Sequence, residues 1–402
     1  MPFDKSVRSV IIVGGGSTGC SIAYNLAIRG VKVTLLDRGN IASGNTGKSS
    51  ALVRTHYSNR LIASMALYSI NQFNNFNMVG YSGFTRTGMV FPFNGNNAET
   101  ARKNRDMLLE LGIHENEISV SQVREFFPDI DSSDFDYILY EPESGYADPV
   151  ATASAYANAA RALGAEIYTG TEVTKVESGR KSASVYLASG KKYSADAVIL
   201  ATNTWTNNLL RSSGLDDSML PPLYASVHDI IYVRRPENCQ GIKPTLWDPQ
   251  KSAYYKMEGE TLTAIGSLDP HIDKQVFDVT KNIEDHVTDS YIEEYLAKIT
   301  ERIPSMGDAS IVAAISGLYD MSPDGQAIID SMASNGMENV YICAGLSGHG
   351  FKLSPAYGVI VADMVTGIAP ESSLFDWSQF SLARFKNGTG IKSMYSGIGT
   401  IY

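Results

Sequence analysis

Gly14, Gly16 and Gly19 follow the apolar run Val10-Ile-Ile-Val13, and Asp37 stands eighteen residues beyond the last of them at the end of Val31-Lys-Val-Thr-Leu-Leu36. A strand, a G-x-G-x-x-G turn opening a helix, a second strand and then an acid is the order that binds a dinucleotide. Gly14 permits the tight turn, Gly16 lets the backbone approach a pyrophosphate, and Gly19 lets helix and strand pack closely. Ser17 and Thr18 lie in the turn, where the unpaired N–H groups of a helix start would meet the phosphates. Asp37 is placed to accept from a ribose hydroxyl. Two further residues invite chemistry. Arg54 follows Ala51-Leu-Val53, and Lys352 sits between Phe351 and Leu353. Cations in apolar settings need an anionic partner. From the residues alone, a structural salt bridge or a snorkelling stem explains them more simply than a ligand.

The elements that must hold these groups follow from periodicity. Helical patterns occupy roughly 59–76, 98–111 and 151–163, with a charged helical region near 281–302 and a helix from Pro355 to Thr366. Strand patterns fall in 166–176, 182–187 and 197–202, and in the aromatic segments 229–233 and 254–257. Asn339-Val-Tyr-Ile-Cys-Ala344 runs into the glycine loop Gly345-Leu-Ser-Gly-His-Gly350, which again presents N–H groups at a helix start. Parallel-sheet strands at the start, middle and end of the chain imply an α/β fold: a discontinuous Rossmann-like nucleotide domain with a mixed α+β domain, built on a largely antiparallel sheet, inserted in it. The expected division is 1–76, 145–215 and 310–370 for the nucleotide domain, 77–144 and 216–309 for the inserted domain, and 371–402 for a C-terminal extension.

Composition narrows the partners. With 402 residues, 44% hydrophobic and 19% charged, the chain reads as an ordinary globular protein. A net charge of -10 argues against nucleic acid or an anionic membrane as a general partner. No apolar run approaches the ~18 residues that span a bilayer. The N-terminus passes directly into the first strand, leaving no room for a signal peptide, and Cys20, Cys239 and Cys343 are scattered. A reducing, cytoplasmic setting is the resulting expectation.

Five segments together resemble the D-amino-acid oxidase-like FAD-dependent oxidoreductases, in the branch of sarcosine oxidases, glycine oxidase and the FAD subunits of amine and proline dehydrogenases. They are the N-terminal fingerprint, Ser43-Gly-Asn-Thr-Gly-Lys-Ser-Ser-Ala-Leu-Val-Arg54, Gly145-Tyr-Ala-Asp-Pro149, Gly317-Leu-Tyr-Asp-Met-Ser-Pro-Asp-Gly325 and Gly345-Leu-Ser-Gly-His-Gly-Phe-Lys-Leu353. The resemblance implies non-covalent FAD. Its cofactor set is the fingerprint with Arg38, the loop residues Asn45, Thr46, Gly47, Lys48, Ser49 and Ser50, and Val173, Thr202 and Trp205. Gly325, Gly345, Gly348, His349, Gly350, Phe351 and Lys352 complete it near the flavin ring. It also turns Arg54 and Lys352 into holders of a substrate carboxylate, a task suited to the bidentate guanidinium.

The implied reaction takes hydride from the α-carbon of a small amino or N-alkyl amino acid (glycine, sarcosine or proline type) to flavin N5, leaving an imine that water hydrolyses. His56, His349, Tyr254 and Tyr255 are the candidates for tuning the amine proton. One tyrosine should face the pocket and the other the opposite side, because they are consecutive on a strand. Oxidation of a 2-hydroxy acid, or service as an FAD-carrying subunit of a larger amine dehydrogenase, are the alternatives; a homo- or hetero-oligomer fits either. Departures from the family matter too. Gly317, Lys48 and Ala147 stand where relatives attach a flavin, which removes those nucleophiles. Ala264 stands where an oxygen-activating lysine occurs, which favours a dehydrogenase over an oxidase. Asp37 replaces a more usual Glu, and Asn203 a common Gly.

Overall fold

The computed structural model describes residues 7–269, 275, 276, 279 and 286–395. Its centre is a six-stranded sheet in the spatial order Ile328–Ser331, Val340–Ala344, Ala197–Leu200, Ser9–Val13, Lys32–Leu36 and Glu166–Tyr168. All neighbours are parallel except the first pair. These strands are near-continuous runs of Val, Ile and Leu because helices and a second small sheet cover both faces. On one face the helices Ser17–Ile28, Pro149–Ala162 and Ser354–Val365 pack together. Gly358 allows the last of these to cross the first closely: a methyl there would overlap Ser21. Asp148 caps the middle helix, accepting from the amides of Val150 and Ala151 at 2.9 Å each. A three-stranded antiparallel sheet, Val173–Glu177, Ala183–Leu187 and Lys192–Ala195, covers the other face. The expected strand over 166–176 is therefore two strands in two sheets, divided by the turn at Gly170.

The second domain is a mixed nine-stranded sheet. Its strand Tyr224–Arg234 pairs antiparallel with Leu262–Ser267 on one side and with Ser310–Met321 on the other. Ser310–Met321 was expected in the nucleotide domain. It belongs instead to this sheet, because its register runs with Tyr224–Arg234 over nearly the whole strand. Helix Asp289–Arg302 packs on one face over Tyr255, Ile265, Ile231 and Val233. The helical pattern near 281–302 thus begins, in part, outside the described residues. Buried Arg302 closes this face, donating to Asp248 at 2.6 Å and to Asp134 at 2.7 Å. The opposite face of the sheet, with Trp247 and Tyr254, looks toward the nucleotide domain.

The C-terminal segment is expected as a separate extension, but its described part is tied to both domains. Arg384 grips Asp324, and Tyr395 reaches His56. No helix among the described residues is long and apolar enough to cross a membrane.

Candidate active site

One cavity of about 500 Å³ runs from the glycine turn, across the carboxyl ends of the parallel strands, to the inner face of the large sheet. That is where an open α/β sheet takes its ligands. Gly14, at φ +113°, makes the turn that an L side chain resists. A methyl on Gly19 would overlap the Gly14 carbonyl, so the tight first turn requires glycine at both positions. Asp37 accepts from Gly15 N at 2.6 Å and from Gly39 N at 2.7 Å, so its carboxylate fixes the turn as well as facing the cavity. Arg38 lies 4.2 Å from the Trp205 ring centre, and both line the cavity beside Val173.

Ser17, Thr18 and Gly16 line the same end. Asn45, Thr46, Lys48, Ser49 and Ser50 follow along one wall and Thr202 stands across from them. Asn203 has φ +53°, the left-handed conformation that explains why glycine is common there. Its side chain accepts from Asn45 Nδ2 and donates to Asp320, each at 2.7 Å. Gly348, Gly350, Phe351 and Lys352 close the far end.

Several expected residues do not border the cavity. Gly47 serves the loop, its amide donating to Ala42 O at 2.9 Å. Gly325 and Gly345, at φ +69° and +65°, shape turns behind the wall. Tyr255 is corrected outright: strand alternation sends it to the helix-covered face beside Tyr295, and Tyr254 is the one on the cavity. His56 is also displaced from the site. It is fully buried between Glu115 and Tyr395, at 2.7 Å from each. His349 lies behind the glycine loop with Nδ1 3.0 Å from Tyr57 Oη. Burial pushes the Tyr57 hydroxyl up to about 12, so it remains a donor.

The two cations take different stations. Lys352 borders the cavity and donates to Gly348 O at 2.9 Å. Arg54 is buried one layer back, its guanidinium 4.2 Å from the Tyr57 ring centre and 5.0 Å from that of Trp247, and it donates to His56 O. Burial, with the charge of Arg54 behind it, holds the Lys352 amine well below the usual lysine range.

His228, Tyr319 and Trp247 carry no motif that marks them as site residues. All three line the cavity with Tyr254. The His228 and Tyr319 rings stack at 3.6 Å, and burial pulls the imidazole down to about 3, so it is neutral at physiological pH. Trp247 pairs across the ladder with Tyr254. Such cross-strand partners carry no local sequence signal; only the sheet register joins them. Near this wall Ala264 is paired with Lys256, whose Nζ donates to Ser50 O at 2.9 Å and meets Glu258 at 2.9 Å. The missing lysine of that strand thus has a cationic neighbour on the next one.

A buried carboxylate oxygen of Asp320 without a partner among the described residues, a glycine turn that no side chain can occupy, and a long cavity between them fit a flavin dinucleotide. The family described as FAD dependent oxidoreductase matches residues 9–364. The chain belongs to that family. Its members and these relatives are FAD-dependent flavoproteins. Over 97% of the chain it is 26% identical to the 4-methylaminobutanoate oxidase (formaldehyde-forming) of Paenarthrobacter nicotinovorans, spanning 48% of that protein. It is likewise 26% identical to the monomeric sarcosine oxidase of Bacillus sp. (strain B-0618), covering 93% of this chain and 95% of the relative. The chain therefore spans about half the length of some curated relatives and nearly all of others. In fold it is similar to the crystal structure of L-proline dehydrogenase from P.horikoshii, with a TM-score of 0.83, 23% identity and coverage of 96% and 99%.

Proposed function

We propose that this member of the FAD-dependent oxidoreductases oxidises the Cα–N bond of a small amino acid or N-alkyl amino acid. The observation that carries the reading is the pairing of Lys352, on the cavity, with Arg54 directly behind the Trp247 wall. Two cations kept out of water in one corner form a receptor for a carboxylate. Trp247, Tyr254 and Tyr319 surround that corner with aromatic faces, which suit an amine carrying a small alkyl group. The bound flavin supplies the two-electron acceptor. The chain's own part is to anchor the carboxylate, orient the α-carbon and keep water out. Burial keeps His228, stacked on Tyr319, neutral and too weak a base to take a proton from an ammonium, so the amine reacts from its neutral form. Gly317 and Lys48, both on the cavity, offer no thiol or imidazole to the flavin, which supports non-covalent attachment.

Anaerobic addition of glycine, sarcosine, proline and N-methyl amino acids, against lactate and glycolate, tests this reading. Bleaching of the flavin by an amine-bearing acid supports it. Bleaching by hydroxy acids alone overturns it. Arg54→Ala should keep the yellow colour and weaken carboxylate binding by about 10- to 100-fold, the range of one charged hydrogen bond; unchanged turnover would remove Arg54 from the site. For the electron acceptor, Ala264 favours a dye or protein over oxygen. Lys256, reaching Ser50 from the neighbouring strand, favours oxygen. Rates with dye and with oxygen in Lys256→Met decide between them: slow oxygen turnover already in the unaltered chain supports a dehydrogenase, and a loss of oxygen turnover confined to the variant supports an oxidase.

A further inference from the structure

Asp320 lies at the end of the Gly317-Leu-Tyr-Asp320 stretch, 3% exposed, and borders the cavity. Its Oδ1 accepts from Asn203 Nδ2 at 2.7 Å, and the amides of Gly345 and Leu346 approach closely enough to favour its charged form. Oδ2 is buried and has no hydrogen-bond partner among the described residues. The ionisable groups that face it are the Cys343 thiol, from the neighbouring parallel strand, and the Tyr357 phenol, from the helix behind; both are pushed up by burial and by the charge of Asp320. Neither supplies a cation. Asn203 is itself held in a left-handed conformation and clamped by Asn45, so the carboxylate is positioned by residues that already line the cofactor wall. A buried carboxylate oxygen left without a donor is costly unless a ligand completes it.

We propose that Asp320 is a cofactor-holding residue whose Oδ2 accepts a hydrogen bond from a hydroxyl or N–H on the flavin half of the dinucleotide. Burial raises the Asp320 carboxyl to about 7 before that bond forms. A donor on Oδ2 stabilises the ionised form, so loading converts the remaining acid to carboxylate and releases up to one proton to the buffer, about half of one at pH 7. The sign follows. The group binds with full strength above pH 7, and affinity falls as pH drops through 7, by up to tenfold per unit. This inference rests on the family assignment and not on the identity of the substrate.

The test uses the full chain stripped of flavin and reloaded, with FAD and ADP-ribose as probes at pH 6 to 8. ADP-ribose carries the adenosine and pyrophosphate but no ring system. The unaltered protein should bind FAD more weakly toward pH 6, and an indicator dye should register proton release on loading near pH 7. Asp320→Asn should weaken FAD at pH 8 by about tenfold or more and flatten its pH profile, while leaving ADP-ribose unchanged. That comparison also removes Lys352, a cavity group whose amine is likewise displaced, as the source of the slope. Asn203→Ala, which removes the donor to Oδ1 alone, should move the fall-off to higher pH. An Asp320→Asn profile like that of the unaltered chain overturns the proposal, as does equal loss of both probes. If the Asn variant does not fold, an unmoved midpoint in Asn203→Ala overturns it.

Discussion

Lys352 and Arg54 repel one another across the cavity wall, and that repulsion adds to burial in depressing the Lys352 amine. An anion arriving between them reverses the balance by favouring the ammonium. Carboxylate binding should therefore take up a proton at Lys352, and the affinity for acetate, read from its perturbation of the flavin spectrum, should rise as pH falls. Lys352→Met should abolish that slope; a slope that survives would assign the effect elsewhere. Tyr255 supplies the contrast on the other face of its strand. Its hydroxyl is buried without a hydrogen-bond partner among the described residues, beside Asp248 and Arg302. Tyr255→Phe should leave kcat and KM unchanged and hold or raise the thermal midpoint, since an unsatisfied hydroxyl is removed.

At the scale of elements, the glycine turn shows how little tolerance the cofactor end has. Gly19→Ala would drive a methyl into the Gly14 carbonyl, so the variant should lose FAD on gel filtration while the antiparallel sheet keeps its circular dichroism. Arg302 ties helix Asp289–Arg302 to the strand that carries Trp247. Arg302→Met leaves Asp248 buried without its cation and should cost about 3–5 kcal/mol in urea unfolding. These elements differ in how readable they are. The fingerprint strand, its turn and the helix starting at Ser17 were legible because each needs particular residues at fixed spacing. The long helices were legible from their period. Strand partnership was not: Ser310–Met321 looks like any buried strand, and only its pairing with Tyr224–Arg234 reveals which sheet it joins. For the same reason His228 and Tyr319 were invisible as a pair, whereas Lys352 announced itself by standing among apolar neighbours.

Taken whole, the two largest sheets meet over a shared cavity, with the C-terminal segment bridging their domains through Arg384–Asp324 and Tyr395–His56. A ligand that fills such a junction stabilises both halves. Saturation with FAD at a hundred times its Kd should add about 2.7 kcal/mol to unfolding, seen as a concentration-dependent melting temperature. The parallel sheet carries one more implication. Its neighbouring strands Ser9–Val13, Ala197–Leu200 and Val340–Ala344 come from opposite ends and the middle of the chain. During synthesis Ser9–Val13 must wait for Ala197–Leu200, and that strand in turn for Val340–Ala344 near the far end of the chain. Flavin capture is thereby a closing event of biogenesis, and a chain stalled before the last of these strands would emerge pale.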